Sequence, residues 1–269
     1  MFIDYISDLH LDSFTFDGHM QISQYYDLVF KGSQNSDILI VAGDMGHNIK
    51  DVGILFNMLK HDYKHILYCD GNHEHWNRTG KVKYRGWYAK LEALRKHICD
   101  HQVIKLDGNY FTYNGINIGG SSMWYDFSPA ENYGVSKDRF NVMCNAYFPD
   151  PRNMGFVQAM DCKEWFENKY ETMEYIIGEC DVYFSHVGPK VPDNLPDKYK
   201  NFATGFFYFD GSDVLETPRL KKWIYGHTHD KVDEKIIKKN GDEVHLLCNP
   251  VGYLHENNIN NIGVKSFEI

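Results

Sequence analysis

Five short apolar runs punctuate the chain, and each is followed at once by polar residues of a similar kind. Phe2 to Ile6, Ile38 to Ala42, Ile66 to Cys69 and Val182 to Phe184 have the length and the β-branched or aromatic content of buried strands, and Trp223-Ile224-Tyr225 is a shorter run of the same character. Between the first of them, Ile22 to Phe30 and Val52 to Leu59 read as helices that follow strands. Trp87 to Ile98 sets apolar residues at Trp87, Leu91, Leu94 and Ile98, the spacing of one helical face. Strand and helix therefore alternate through the first hundred residues, as in an open α/β sheet.

The texture then changes. Val103-Ile104, Phe111-Thr112-Tyr113 and Ile116-Asn117-Ile118 are split by Asp107-Gly108-Asn109 and Asn114-Gly115, both hairpin signals, so a β-meander is expected. Residues 121–153 are rich in aromatics, Asn, Asp and Pro without a clean period and read as a cap or rim inserted near a site. A helix is expected from about Asp161 to Ile177. Residues 187–213, with Pro189, Pro192, Pro196, Gly205 and Gly211, again lack a period and read as a second loop wall. A last hairpin turns at Asn240-Gly241, between Lys235 to Lys238 and Val244 to Cys248. A chain of 269 residues carrying these elements is expected to form a single domain over 1–269 with two local elaborations.

The polar residues after the five runs carry the candidate chemistry. In order they are Asp8-Leu9-His10, Gly43-Asp44, Gly71-Asn72-His73-Glu74, the lone His186, and Gly226-His227-Thr228-His229. Any one fragment means little, because a lone Asp or His at a strand end commonly caps a helix or forms a turn. Five in order, each at the end of a buried strand where open α/β sheets place their ligands, read together as a divided metal site. Carboxylate oxygen, imidazole nitrogen and carboxamide oxygen suit divalent ions such as Mn, Zn, Fe or Co. The absence of thiolates from the set argues against a closed structural zinc site.

Composition narrows the class. With 43% hydrophobic and 24% charged residues, only 8 Pro and no low-complexity tract, the chain has the makings of a globular protein with a large core. No apolar run approaches the roughly 20 residues that span a bilayer, and the N-terminus enters a strand with no basic-then-apolar leader, so a cytoplasmic location is expected. The six cysteines, Cys69, Cys99, Cys144, Cys162, Cys180 and Cys248, include no C-x-x-C pair and are expected to be buried free thiols. A formal charge of −9 without any long basic run weighs against a grip on extended nucleic acid. It leaves phosphate substrates open, since two bound divalent cations would supply positive charge where an anion must sit.

The ordered series D-x-H, G-D, G-N-H-E, H, G-H-x-H, spanning residues 8 to 229, resembles that of the calcineurin-like metallophosphoesterases. The resemblance implies a four-layer α/β/β/α sandwich with mixed sheets and a centre of two divalent metal ions, manganese foremost, with Fe, Zn, Co or Ni as alternatives. Carried over by motif, Asp8, His10 and His229 would hold one metal, Asn72, His186 and His227 the other, and Asp44 would bridge both. Two ions roughly 3.5–4 Å apart can activate a water, hold phosphate oxygens and neutralise developing charge, which is phosphoester hydrolysis by in-line attack of a metal-bound hydroxide. The leaving oxygen also needs a proton, and His73, next to Asn72, is assigned as general acid.

Asp70 and Glu74 are expected to orient imidazoles, and His47 and His75 to be polar loop residues. Gly43-Asp44-Met45-Gly46-His47-Asn48-Ile49 lacks the second Asp and the Arg of the protein Ser/Thr phosphatase signature, so the pattern is closer to the small bacterial and phage-type members. The expected substrate is a small phosphodiester or phosphomonoester, with nucleotides among the candidates, and Trp124, Tyr125, Phe127, Phe206, Phe207 and Tyr208 would either close the cap or stack on a base. A nuclease of the same family and a noncatalytic scaffold remain as alternatives. The oligomeric state stays open.

Overall fold

A computed structural model of the chain describes every residue except 33–34, 77, 80–81, 84–86, 155–161 and 257–261. The first sheet contains β1 (Phe2–Ile6), β2 (Ile38–Ala42), β3 (His65–Cys69) and β6 (Val103–Lys105), all parallel, with β13 (Lys265–Glu268) antiparallel on the outer side of β1. The second contains β7 (Asn109–Tyr113), β8 (Ile116–Ser121), β9 (Val182–Ser185), β10 (Lys222–Tyr225), β11 (Val232–Ile237) and β12 (Glu243–Cys248). Its order is β11-β12-β10-β9-β8-β7, parallel in the middle and antiparallel at both edges. Strands β4 (Arg78–Thr79) and β5 (Val82–Lys83) make a separate two-stranded ribbon.

Side-chain alternation explains why the sheets stack. Ile38, Ile40 and Ala42 of β2 meet Val182 and Phe184 of β9 and Ile224 of β10 in a core between the sheets. Leu39 and Val41 point the other way, into a second core shared with α1 (Leu11–Thr15), α2 (Ile22–Val29), α3 (Ile49–Leu59) and α5 (Trp87–Ile98). Across the molecule, Tyr183, Trp223 and Tyr225 face out from the second sheet onto α6 (Phe140–Tyr147), α8 (Cys162–Ile177) and α9 (Ser212–Leu215). Both sheets are thus covered on both faces, and the chain forms the four-layer α/β/β/α sandwich with mixed sheets. Two short helices complete it, α4 (Asn72–His75) and α7 (Asp150–Met154). Replacing Phe184, fully buried between the sheets, by Ala should cost roughly 3–5 kcal/mol, read as a lowered midpoint in urea unfolding.

Some expectations are corrected. The three short strands after residue 100 do not make a meander. Val103–Lys105 adds parallel to β3 in the first sheet, and only Asn109–Tyr113 and Ile116–Ser121 pair as a hairpin. Asn114-Gly115 turns that hairpin with φ of 50° and 82°, whereas Asp107-Gly108-Asn109 carries the chain from one sheet to the other. Helix α3 starts ahead of Val52 because Asn48 caps it, its Oδ1 accepting from the Lys50 N–H at 3.1 Å. Asp161, the expected start of the long helix, lies outside the described residues. None of the six cysteines forms a disulfide; five are buried and Cys99 is half-buried, and Cys144 Sγ lies 2.6 Å from Cys162 Sγ.

Candidate metal centre

Asp8, Asp44, Asn72, His186 and His227 follow the carboxyl ends of β1, β2, β3, β9 and β10, so both sheets deliver donors to one edge of the sandwich. The loops there are tightly bent. Asp8, His10, Asp44, His227 and His229 have φ of 51°, 37°, 53°, 71° and 55°, a left-handed conformation that non-glycine residues adopt only when their surroundings hold them in it. The holding contacts are backbone bonds between loops: Asp8 N–H to Gly43 O at 3.0 Å and His10 N–H to Asp44 O at 3.0 Å. The glycines of the signatures are there for closeness. A Cβ on Gly71 would collide with the Asp44 carboxylate, and one on Gly226 with Asp8 Oδ2.

The side chains converge in two sets that share Asp44. On one side His10 Nε2 and His229 Nε2 approach to 3.0 Å, His229 Nε2 stands 3.6 Å from Asp8 Oδ1, and His10 Nε2 stands 3.5 Å from Asp44 Oδ2. On the other, Asn72 Oδ1 is 2.9 Å from His186 Nε2 and 3.1 Å from His227 Nδ1, and His186 Nε2 is 3.4 Å from Asp44 Oδ1. Asp44 therefore turns one oxygen to each set. Asp8 Oδ2 is buried and accepts no hydrogen bond among the described residues, as suits an oxygen that would face a cation.

The imidazoles are oriented by partners on their other nitrogens. His186 Nδ1–H donates to Ala42 O at 2.9 Å, His227 Nε2–H to Phe206 O at 3.0 Å, and His229 Nδ1–H to Glu256 Oε2 at 2.6 Å. In the neutral ring each such bond directs the lone pair of the other nitrogen into the cluster. Asn72 is fixed in the same way, its Nδ2 donating to Asp150 Oδ1 at 3.0 Å so that Oδ1 faces the cluster. The expectation that Asp70 and Glu74 orient imidazoles is overturned. Asp70 pairs with Lys105, and Glu74 accepts the backbone N–H groups of Asp44, Met45 and Gly71 at 2.8, 2.9 and 2.7 Å, tying two donor loops together. No local pattern marked Asp150 or Glu256, which reach their partners from distant loops.

Burial sets the protonation of the cation-free cluster. It drives His10 and His227 down to about 3 and His73 well below its usual range, so their rings are neutral. His186 and His229 go the other way: burial opposes their charge, but Asp44, with Asp8 and the Ala42 carbonyl, lifts His186 to about 10, and Glu256 with Asp8 and Asp44 raises His229. A proton on His186 thus supplies the positive charge that Asp44 demands when no cation does.

His73 is nine-tenths buried beside the cluster, with Nε2 3.9 Å from Asp44 Oδ2 and 3.2 Å from the Tyr253 hydroxyl, and Nδ1 3.1 Å from His47 Nε2. Trp76 stacks on its ring at 4.0 Å, and buried Lys90 donates to its carbonyl at 2.7 Å. His47 therefore supports His73, while His75 packs edge-on against Trp124 and Trp165 in the core. A cavity of about 630 Å³ opens over the cluster, lined among others by Phe148, Pro149, Leu195, Tyr199, Asn201 and Phe207. Of the six aromatics considered for stacking, Trp124, Tyr125, Phe127, Phe206 and Tyr208 are buried in the outer core, and only Phe207 is half-exposed.

Asp150→Ala should weaken cation binding at the Asn72, His186 and His227 set by roughly 10–100-fold and spare the other set. Calorimetric titration with Mn resolves the two, and equal losses at both would contradict the assignment.

The family model for calcineurin-like phosphoesterases matches residues 1–231, and the chain belongs to that family, whose general chemistry is metal-dependent phosphoester hydrolysis. No curated protein matches the chain. Among solved structures it is similar to the phosphopantetheinyl hydrolase of Mycobacterium tuberculosis, with a TM-score of 0.72 and 18% identity over 94% of this chain and 90% of that one. A second structure, from Thermus thermophilus, aligns with a TM-score of 0.48 and 8% identity over 99% and 98% of the two chains.

Proposed function

We propose that the protein is a hydrolase of small phosphoesters that works with two divalent cations, one held by Asp8, His10 and His229, the other by Asn72, His186 and His227, with Asp44 between them. The observation that carries this reading is the division of seven donors, six buried and His229 half-buried, into two sets around one carboxylate. When bound, the cations supply positive charge for the phosphoryl oxygens and acidity for an attacking water. The protein's own part is positioning and proton delivery. His73 Nε2 gives a proton to the leaving oxygen, with Tyr253 on the same nitrogen and His47 on the other. Manganese is the first ion to try, because the donors are oxygen and nitrogen without thiolate, and Fe, Zn, Co or Ni fit the same set.

We read 1–269 as one catalytic domain, with 121–153 and 187–213 walling the site. Six cysteines without a disulfide suit a reducing compartment such as the cytoplasm. Among the described residues no helix is long and apolar enough to cross a membrane.

The test is turnover of bis(p-nitrophenyl) phosphate against p-nitrophenyl phosphate with added Mn, followed by a panel of cyclic and linear nucleotides. Phosphopantetheinyl esters join the panel because the similar structure is named for them. Turnover abolished by a chelator and restored by Mn is the expected result. Metal binding without turnover of any ester would leave a noncatalytic scaffold, and cleavage of DNA in preference to small esters would favour the nuclease.

A further inference from the structure

Two thiols meet in the outer core. Cys144 is fully buried on α6, Cys162, 4% exposed, opens α8, and their Sγ atoms lie 2.6 Å apart. A disulfide needs a separation of about 2.05 Å, so the two side chains already face each other and neither helix has to turn for them to join. The bond would close a loop over residues 145–161, which includes α7 and its Asp150. A short chain of hydrogen bonds leads from this pair to the candidate metal centre. The Tyr125 hydroxyl donates to Asp150 Oδ2 at 3.2 Å, which commits its single proton, so the Cys144 thiol, 3.4 Å away, is the donor to the Tyr125 oxygen. Asp150 Oδ1 in turn accepts from Asn72 Nδ2 at 3.0 Å and keeps Asn72 Oδ1 turned to its set. Linked bonds of this kind polarise and strengthen one another.

We propose that a peroxide converts Cys144 and Cys162 into a reversible disulfide, and that closing it loosens the cation position of Asn72, His186 and His227. Cys162, the more exposed thiol, takes one oxygen from the peroxide as a water leaves and becomes a sulfenic acid. The Cys144 sulfur attacks that sulfur, the S–S bond forms and a second water leaves, so the peroxide accepts the two electrons that the thiols give up. A dithiol reopens the bond by exchange. In the closed form Cys144 has lost the hydrogen it gave to Tyr125, and the chain to Asp150 and Asn72 loses its first donor. Transient disulfides are the kind that reducing compartments hold. The inference goes beyond the hydrolase reading and uses only its two cation sets.

The test treats the full, metal-free chain with hydrogen peroxide, removes the oxidant, and follows peptide mass mapping with calorimetric titration with Mn. The expected product is lighter by two hydrogen atoms and yields one cross-linked peptide joining Cys144 to Cys162. Mn affinity should fall at one of the two positions by roughly three- to tenfold, below the 10–100-fold for losing an outer partner outright, and stay unchanged at the other. Dithiothreitol restores both mass and affinity, and Cys162→Ala binds Mn as the unaltered chain does but no longer responds to peroxide. A different pairing, or oxygen adducts without a cross-link, overturns the disulfide. Unchanged Mn affinity in the cross-linked protein, or equal losses at both positions, overturns its link to Asn72. If the reduced protein binds no Mn, the two-cation reading fails and the coupling with it, while the mapped peptide still decides the disulfide.

Discussion

Asp44→Asn is expected to abolish turnover and to weaken both cation positions together. The two carboxylate oxygens do different jobs: Oδ1 faces His186 Nε2 at 3.4 Å and accepts the His73 N–H at 3.0 Å, while Oδ2 faces His10 Nε2 at 3.5 Å. In the variant the carboxamide oxygen keeps the His73 N–H, so its NH₂ group takes the other place and presents hydrogens where a ligand oxygen is needed. The negative charge between the two sets disappears as well. Loss of an outer hydrogen-bond partner costs a metal site about 10–100-fold in affinity, and removal of a shared ligand should exceed that at each position. The folded state should persist, because Glu74 still clamps the Asp44 N–H at 2.8 Å. Calorimetric titration with Mn, beside an unchanged circular dichroism spectrum, reads the outcome. Two intact sites in the variant would remove Asp44 from its position as a bridge.

How far the chain could be read without coordinates depended on whether the signal was local. The strands were legible because burial on both faces makes them short, dense apolar runs, and the donors stood out because each breaks such a run with a charged or imidazole group at its end. Nothing local announces pairing between distant segments. Val103–Lys105 looked like the first arm of a meander, yet it adds to β3, and Lys265–Glu268 at the chain's end pairs with Phe2–Ile6 at its start. The same limit applies at the site. Glu256 and Asp150 each hold a donor residue from a loop with no recognisable pattern, and the partners of His186 and His227 are backbone carbonyls that any residue type could have supplied. Glu74 was misjudged because its position in G-N-H-E places it next to donors, while its side chain turns back to backbone N–H groups.

The C-terminal segment deepens the point. Residues after 231 lie beyond the family match, yet Glu256 from that segment orients His229, and the Tyr253 ring lies 4.3 Å from that of His10 with its hydroxyl on His73. The isolated bridge between Ser7 and Pro250 brings this segment to the end of β1. His10, His73 and His229 thus rest in part on residues outside the matched segment.

His73→Ala is expected to retain both cations and to slow turnover by roughly 10²- to 10⁴-fold, the range for a lost acid catalyst. A rival reading exists, because His73 Nε2 lies only 3.9 Å from Asp44 Oδ2 and falls in a group with His10 and Asp44 whose ligand atoms are within 4.8 Å of one another. A ligand and an acid differ in what their removal does. Loss of a ligand lowers cation affinity and slows every substrate alike, whereas loss of an acid leaves affinity intact and penalises poor leaving groups most. Burial holds His73 neutral in the cation-free protein, so the acid role requires an arriving phosphoryl anion to favour the charged imidazole. The decisive measurement pairs Mn titration of the variant with its kcat on an alkyl ester and on a p-nitrophenyl ester. Unchanged affinity with a much larger loss on the alkyl ester fits proton donation. Weakened affinity with equal losses on both would make His73 a ligand, and unchanged kinetics would leave it with neither role.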